Sequence, residues 1–133
     1  MTKINMSQFL MGRIKYEELS PHMKADSEDL LEKVNALLID FYKQYPEAAI
    51  RTVNSGYRTP AANAAAGGAK LSKHMICQAI DLSDADKQLG QWLTRFPEFL
   101  SKHDLYMEAK ASTPTWCHLQ LVPPKSKKRT FIP

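Results

Sequence analysis

Leu30, Leu31, Val34, Leu37, Leu38 and Phe41 recur at the three- and four-residue spacing that gathers apolar side chains on one face of a helix. The spacing predicts an amphipathic helix from about Ser27 to Tyr45, capped by Asp26 or Ser27 and stopped by Pro46. Ahead of it, Ser7–Met11 reads as a short helix and Ser20-Pro21 as a break. Behind it the period changes. Ala49–Asn54 alternates and carries β-branched residues, the mark of a strand. Thr59-Pro60 opens a short alanine-rich helix that Gly67-Gly68 closes, with proline near the first position and glycine past the last. Gln78–Leu82 predicts a second strand, and Asp84–Phe96 a helix with Leu89, Trp92, Leu93 and Phe96 on one face. Pro97–His103 adds a helical turn. Leu105–Ala109 and Trp116–Val122 predict an antiparallel hairpin around Ser112-Thr113-Pro114. Helices that precede and interleave with a small antiparallel sheet define the α+β class, with the helices packed on one face of the sheet.

Composition adds limits. The chain has 133 residues, a length that suits one domain over 1–133, and its 44% hydrophobic content argues against disorder. No apolar run approaches the ~20 residues that cross a bilayer. The opening MTKINMSQFLMGR lacks the apolar core of a secretory signal, so synthesis in the cytoplasm without a cleaved leader is expected. The formal charge of +4 has one source: Lys125, Lys127, Lys128 and Arg129, in a basic segment at 123–133 that contains no acid. Without these four the body is neutral. Such a segment reads either as a solvated end or as an attraction to a polyanion such as nucleic acid, membrane or anionic cell wall. Two cysteines, Cys77 and Cys117, are too few for a disulfide framework and are expected to be reduced.

Candidate chemistry follows from strand alternation. Asp81 shares a face with Ala79, opposite Ile80 and Leu82. Trp116, His118 and Gln120 share a face, opposite Cys117, Leu119 and Leu121; Tyr106 and Glu108 share a face, opposite Leu105 and Met107. If these strands are neighbours, their polar faces collect carboxylates and imidazole, and His74 lies close in sequence. Two histidines and a carboxylate suit zinc, whose catalytic sites use three protein ligands and keep a fourth position open. Glu108 is then the first candidate for moving a proton. Taken alone, three scattered residues remain compatible with ordinary polar positions. A site built from His74, Cys77, Cys117 and His118 has suitable residue types, but Cys117 and His118 are adjacent on a strand and point to opposite faces. His22 and His103 fall in segments expected to be solvated.

The stretches SGYRTP (Ser55–Pro60), GGAKLSKHMICQAIDL (Gly67–Leu82) and WCHLQ (Trp116–Gln120) resemble the M15 family of zinc D,D- and L,D-peptidases. That family includes D-Ala-D-Ala carboxypeptidases, D-Ala-D-Ala dipeptidases and phage endolysins. Its motif Ser-x-His-x-x-Gly-x-Ala-x-Asp, followed later by Trp-x-His, is matched in order by Ser72, His74, Ala79, Asp81, Trp116 and His118. The resemblance implies a D-Ala-D-Ala peptidase or hedgehog type of fold. It implies Zn2+ on His74, Asp81 and His118, with Arg58 as the arginine that stabilises substrate and transition state. Tyr57, Ser72 and Trp116 are the implied substrate contacts. Two departures stand out: Cys77 replaces the motif glycine, and Thr115 stands where many members keep the glutamate of Glu-x-x-His. Glu108, further upstream on the hairpin, matches the alternative placement of that glutamate.

The implied function is a zinc peptidase cutting bacterial peptidoglycan stem peptides, of the phage cell-wall-lysis type. It would be made in the host cytoplasm, act as a monomer, and use the basic segment on anionic wall. The alternative is a non-catalytic M15-like virion or wall-binding protein. A nucleic-acid-binding role ranks last, because the neutral body carries no recognised nucleic-acid motif.

Overall fold

A computed structural model describes residues 3–133. Helix α1 (Met6–Leu10) is set by a capping box, in which the Asn5 side chain accepts from the Gln8 amide and the Gln8 side chain from the Asn5 amide. Helix α2 (Pro21–Gln44) begins earlier than its apolar stripe predicts. Ser20, not Asp26 or Ser27, is its cap: Oγ accepts from the Met23 amide at 3.2 Å, and Pro21 takes the first position. The polar opening turns carry no stripe to announce them. Ser27 is buried inside the helix, its hydroxyl donating to the Lys24 carbonyl.

Strand β1 (Val53–Ser55) is shorter than the predicted Ala49–Asn54 strand, and its register with the next strand shifts between Val53 and Ser55. Helix α3 (Pro60–Ala65) starts at a Thr59 cap, as the Thr-Pro signal predicts. Strand β2 (Ala79–Ser83) follows a 3-10 turn at Lys73–Ile76. Helix α4 (Gln88–Arg95) starts later than the expected Asp84, because the Asp84 side chain turns inward and Lys87 takes a left-handed conformation before the helix. Helix α5 (Glu98–Lys102), β3 (Tyr106–Glu108) and β4 (Trp116–Gln120) fall close to their predicted places.

The sheet order is β1-β2-β4-β3-β5, where β5 is Thr130–Phe131. The first four strands pair antiparallel, but β5 runs parallel to β3, so the sheet is mixed and not wholly antiparallel. The basic segment is therefore not simply a solvated end. Its last residues extend the sheet, and Arg129 donates to Asp104 and to the Leu105 carbonyl.

One apolar cluster joins the α2 stripe to Ile80, Leu82, Met107, Cys117 and Leu119 from one face of the sheet and to Leu89, Trp92, Leu93 and Leu100 from α4 and α5. Burying each large side chain of this kind contributes about 1.5–3 kcal/mol. The alternation predicted for β2, β3 and β4 thus places the apolar set in the core and leaves Asp81, Glu108, His118 and Gln120 on the opposite face. No helix among the described residues is long and apolar enough to cross a membrane.

Candidate metal centre

Register makes the first contact. Antiparallel pairing sets Asp81 directly opposite His118 across β2 and β4, and His118 Nδ1 lies 2.8 Å from Asp81 Oδ1. The third member arrives on the 3-10 turn. The Ser72 hydroxyl accepts from the His74 amide at 3.2 Å, fixing the turn that carries His74 Nε2 to 3.3 Å from Asp81 Oδ2. One ligand atom from each of His74, Asp81 and His118 lies within 4.8 Å of the others, and all three residues are buried.

The far nitrogen of each imidazole is committed to a carbonyl oxygen. His74 Nδ1 donates to the Gly56 carbonyl at 2.8 Å, which turns Nε2 toward Asp81. Gly56 is required for the chain to pass here, because a Cβ at that position would lie 2.0 Å from the Phe9 carbonyl oxygen. On the other side, Gln120 Nε2 donates to the Val122 carbonyl at 2.8 Å, which turns its Oε1 to accept from His118 Nε2 at 2.9 Å. In its neutral, Nε2-protonated form His118 would turn the Nδ1 lone pair toward Asp81. Metal-binding histidines typically show this outer-shell pattern, since it fixes tautomer and ring orientation. Two imidazole nitrogens and a carboxylate converging in this way fit zinc in both donor type and number.

The electrostatics favour a proton between His118 and Asp81, which a bound metal would displace. Burial acts to raise the Asp81 carboxyl, but hydrogen bonds and charge from His118 and His74 overcome it and hold the group well below the usual carboxylate range. Burial likewise acts to lower the His118 imidazolium. The hydrogen bond and charge of Asp81, the charge of Glu108 and the Gln120 bond together raise it above its ordinary value.

These residues line a cavity of about 340 Å³ together with Arg58, Ser72, Lys73, Glu108 and Trp116. Arg58 is tied down on three sides: Nε donates to Ser55 Oγ at 2.9 Å, Nη1 to Asn63 Oδ1 at 3.3 Å and Nη2 to Asp81 Oδ2 at 3.3 Å. Glu108 Oε1 stands 3.9 Å from His118 Nε2. Lys73 forms no ion pair among the described residues. A larger hollow, about 470 Å³ between α1 and the Ile50–Val53 run, has no histidine, cysteine or carboxylate in its lining.

Of the residues predicted from sequence, Arg58, Ser72, His74, Asp81, Glu108, Trp116 and His118 come together at this cavity. Tyr57 does not. It is 7% exposed and belongs to the apolar core, away from the lining of this cavity. Thr115 is exposed just before β4, with its carbonyl accepting from the Asp84 amide. His22 is exposed as expected, whereas His103 is mostly buried and bonds Asp40 at 2.7 Å. Both cysteines are free and buried. Cys77 adopts the left-handed conformation (φ 62°) that explains a glycine in the motif, and burial, with the charge of Asp26, pushes its thiol up to about 12. Burial also pushes the Cys117 thiol up, and its side chain faces the core, away from His118. Neither thiol joins the cluster. Gly56 and Lys73 lie within the quoted motif stretches but were given no role from the sequence, and nothing local in it marks Asn63. Gln120 was placed on the His118 face, but its bond to His118 emerges only from the folded geometry.

The fold and this centre together define a mixed α+β protein with a histidine–aspartate–histidine metal-type site in an open cavity. Residues 13–112 match the family model described as Peptidase M15, and the chain belongs to that peptidase family. Members typically depend on zinc, and the match ends before Trp116 and His118. No curated protein and no solved structure matches the chain.

Proposed function

We propose that this chain is a zinc peptidase acting on the stem peptides of bacterial peptidoglycan, of the type used in phage cell-wall lysis. The observation that carries this reading is the convergence of His74, Asp81 and His118, each histidine keyed by an outer acceptor, in a chain of the M15 family. In this reading the three residues hold Zn2+. A zinc ion held there would supply Lewis acidity, polarising a carbonyl and acidifying water.

The chain's own residues do the rest. Glu108 takes the proton of the attacking water and delivers it to the leaving amine, the general acid–base work that a cavity-lining carboxylate can perform. Arg58, anchored by Ser55, Asn63 and Asp81, offers fixed positive charge for the developing oxyanion, and needs no reorganisation to do so. Ser72 sets the His74 turn, and Trp116 walls the substrate. Lys73 supplies the cavity's uncommitted cation, suited to the carboxylates that stem peptides carry. Exposed Lys125, Lys127 and Lys128 draw the protein to anionic wall.

Replacing His118 by alanine tests the reading most directly. His118→Ala should lose both bound zinc and release of peptide fragments from purified cell walls. Full hydrolysis by the metal-free variant would overturn the mechanism. Glu108→Gln should keep zinc and lose turnover by about 10²–10⁴-fold; wild-type turnover would reassign the base. A second reading has one observation behind it, Thr115 at the usual glutamate position. It makes the protein a non-catalytic wall-binding or virion component, and it predicts bound zinc with no hydrolysis in the wild type.

A further inference from the structure

The pairing of Glu108 is the unexpected feature of the hairpin. The β3–β4 ladder joins Tyr106 to Gln120 and Met107 to Leu119, and stops there. Glu108 is partnered instead by Phe131 of β5. The amides on either side of it are both spent on the same short segment: Met107 N–H donates to the Arg129 carbonyl and Ala109 N–H to the Phe131 carbonyl, each at 2.7 Å.

The segment is itself fastened. The Arg129 guanidinium lies 4.3 Å over the Tyr106 ring, and its Nη1 donates to Asp104 Oδ1 at 3.1 Å and to the Leu105 carbonyl at 3.2 Å. The Phe131 ring stands edge-on to the His118 ring at 6.4 Å. We infer that Arg129–Phe131 is a positioning strap for the carboxylate of Glu108: it holds the peptide on both sides of that residue, and so fixes Glu108 beside His118. The strap lies outside the stretch matched by the family model, which ends at residue 112. The inference rests on the reading of Glu108 as the proton carrier.

The rival role for such a strand is to cover a sheet edge and nothing more. That role predicts lost stability without a selective loss of turnover. A strap predicts the opposite split, because a displacement of 1 Å in a reacting group costs about 10²-fold in rate.

The test uses the zinc-loaded chain in three forms: wild type, a chain ending at Lys128, and Arg129→Ala. Zinc content, near-UV circular dichroism, kcat, KM and hydrogen exchange at the Met107 and Ala109 amides are measured on each. The shortened chain should keep its zinc and its KM within about twofold, exchange both amides rapidly, and lose about 10²-fold in kcat. Added peptide Arg-Thr-Phe-Ile-Pro should recover part of that loss. Arg129→Ala, which keeps the strand but removes its anchor, should fall between the two. Fast exchange at Met107 and Ala109 with wild-type kcat would overturn the strap. If the shortened chain unfolds, Arg129→Ala decides by the same criterion. Wild-type turnover in Glu108→Gln is a separate result: it would overturn the assignment of the base.

Discussion

Two buried carboxylates flank the end of β2, and they are built differently. Asp84 is fully buried and saturated by donors that cannot leave. Arg51 Nη2 approaches at 2.9 Å, Lys110 Nζ at 2.6 Å, and the Leu89 and Gly90 amides at 2.9 and 2.8 Å. Asp81 is nearly as buried, but two of its three partners are imidazole nitrogens that can act as donors or as lone pairs: His118 at 2.8 Å and His74 at 3.3 Å, with Arg58 also at 3.3 Å. The first arrangement answers every lone pair permanently and ties β2, α4 and the hairpin loop together. The second keeps lone pairs convergent, and can be completed by a proton or by a metal. Burial of an acid therefore does not by itself distinguish structure from function; the chemistry of its donors does.

The largest expected effect separates the two acids by stability. Asp84→Asn removes the buried counter-ion of Arg51, which cannot shed its proton and keeps only the half-exposed Asp86 as a carboxylate partner, and should destabilise the fold by about 3–5 kcal/mol in urea unfolding. Asp81→Asn leaves two histidines, which can become neutral, and Arg58, which keeps Ser55 and Asn63 as acceptors; it should cost less than about 2 kcal/mol in metal-free protein while abolishing zinc binding. Equal losses of stability in the two variants would erase the contrast.

Metal addition should sharpen it next. Zinc at about 100 times its dissociation constant stabilises the folded state by about 2.7 kcal/mol, an upward Tm shift of roughly 10 °C for a domain of this size. The shift should vanish on chelation and in Asp81→Asn. In an Asp84 variant that still folds it should persist, because Asp84 sits in a separate network. Differential scanning calorimetry with and without chelator reads both.

What the sequence made legible follows the same division. The α2 stripe and the faces of β2 and β4 could be read because period 3.6 and period 2 are written locally, and the three cluster residues because two short motifs, one with His74 and Asp81 and one with His118, stand in the family's order. Cys77, which stands in the place of a motif glycine, takes the positive φ that a glycine there would favour. Asp84 was misread as the start of a helix. An acid before an apolar periodic run is the usual cap signal, and Asp84 does accept from the Leu89 and Gly90 amides of the first turn, but from four residues before the helix and while also holding Arg51 and Lys110 from distant segments. Residues 129–131 were hidden for a related reason. Basic residues surround the segment, it is two residues long as a strand, and its parallel pairing with β3 is wholly non-local. Tyr57 sits inside a recognisable motif, yet its ring faces the core, because sequence order fixes neighbourhood and not direction.

A third carboxylate, outside both networks, gives the smallest and most controlled comparison. Asp40 on α2 accepts from Lys102 Nζ and His103 Nε2, each at 2.7 Å. Its partial burial acts to raise the carboxyl, and the hydrogen bonds and charges of Lys102 and His103 outweigh it, holding the group below its ordinary value. A carboxyl depressed in the folded state adds stability above its unfolded pKa, and that stability is lost as pH falls through the folded value. Asp40→Asn should therefore be less stable than wild type near neutral pH by no more than about 1 kcal/mol, the range of partly exposed ion pairs. The difference between the two proteins should shrink as the pH is lowered through the carboxylate range and close once Asp40 is protonated in both states. Urea unfolding of both at a series of pH values follows the gap directly. A gap that stays constant down to the acid limit would mean that Asp40 acts through packing and not through its charge.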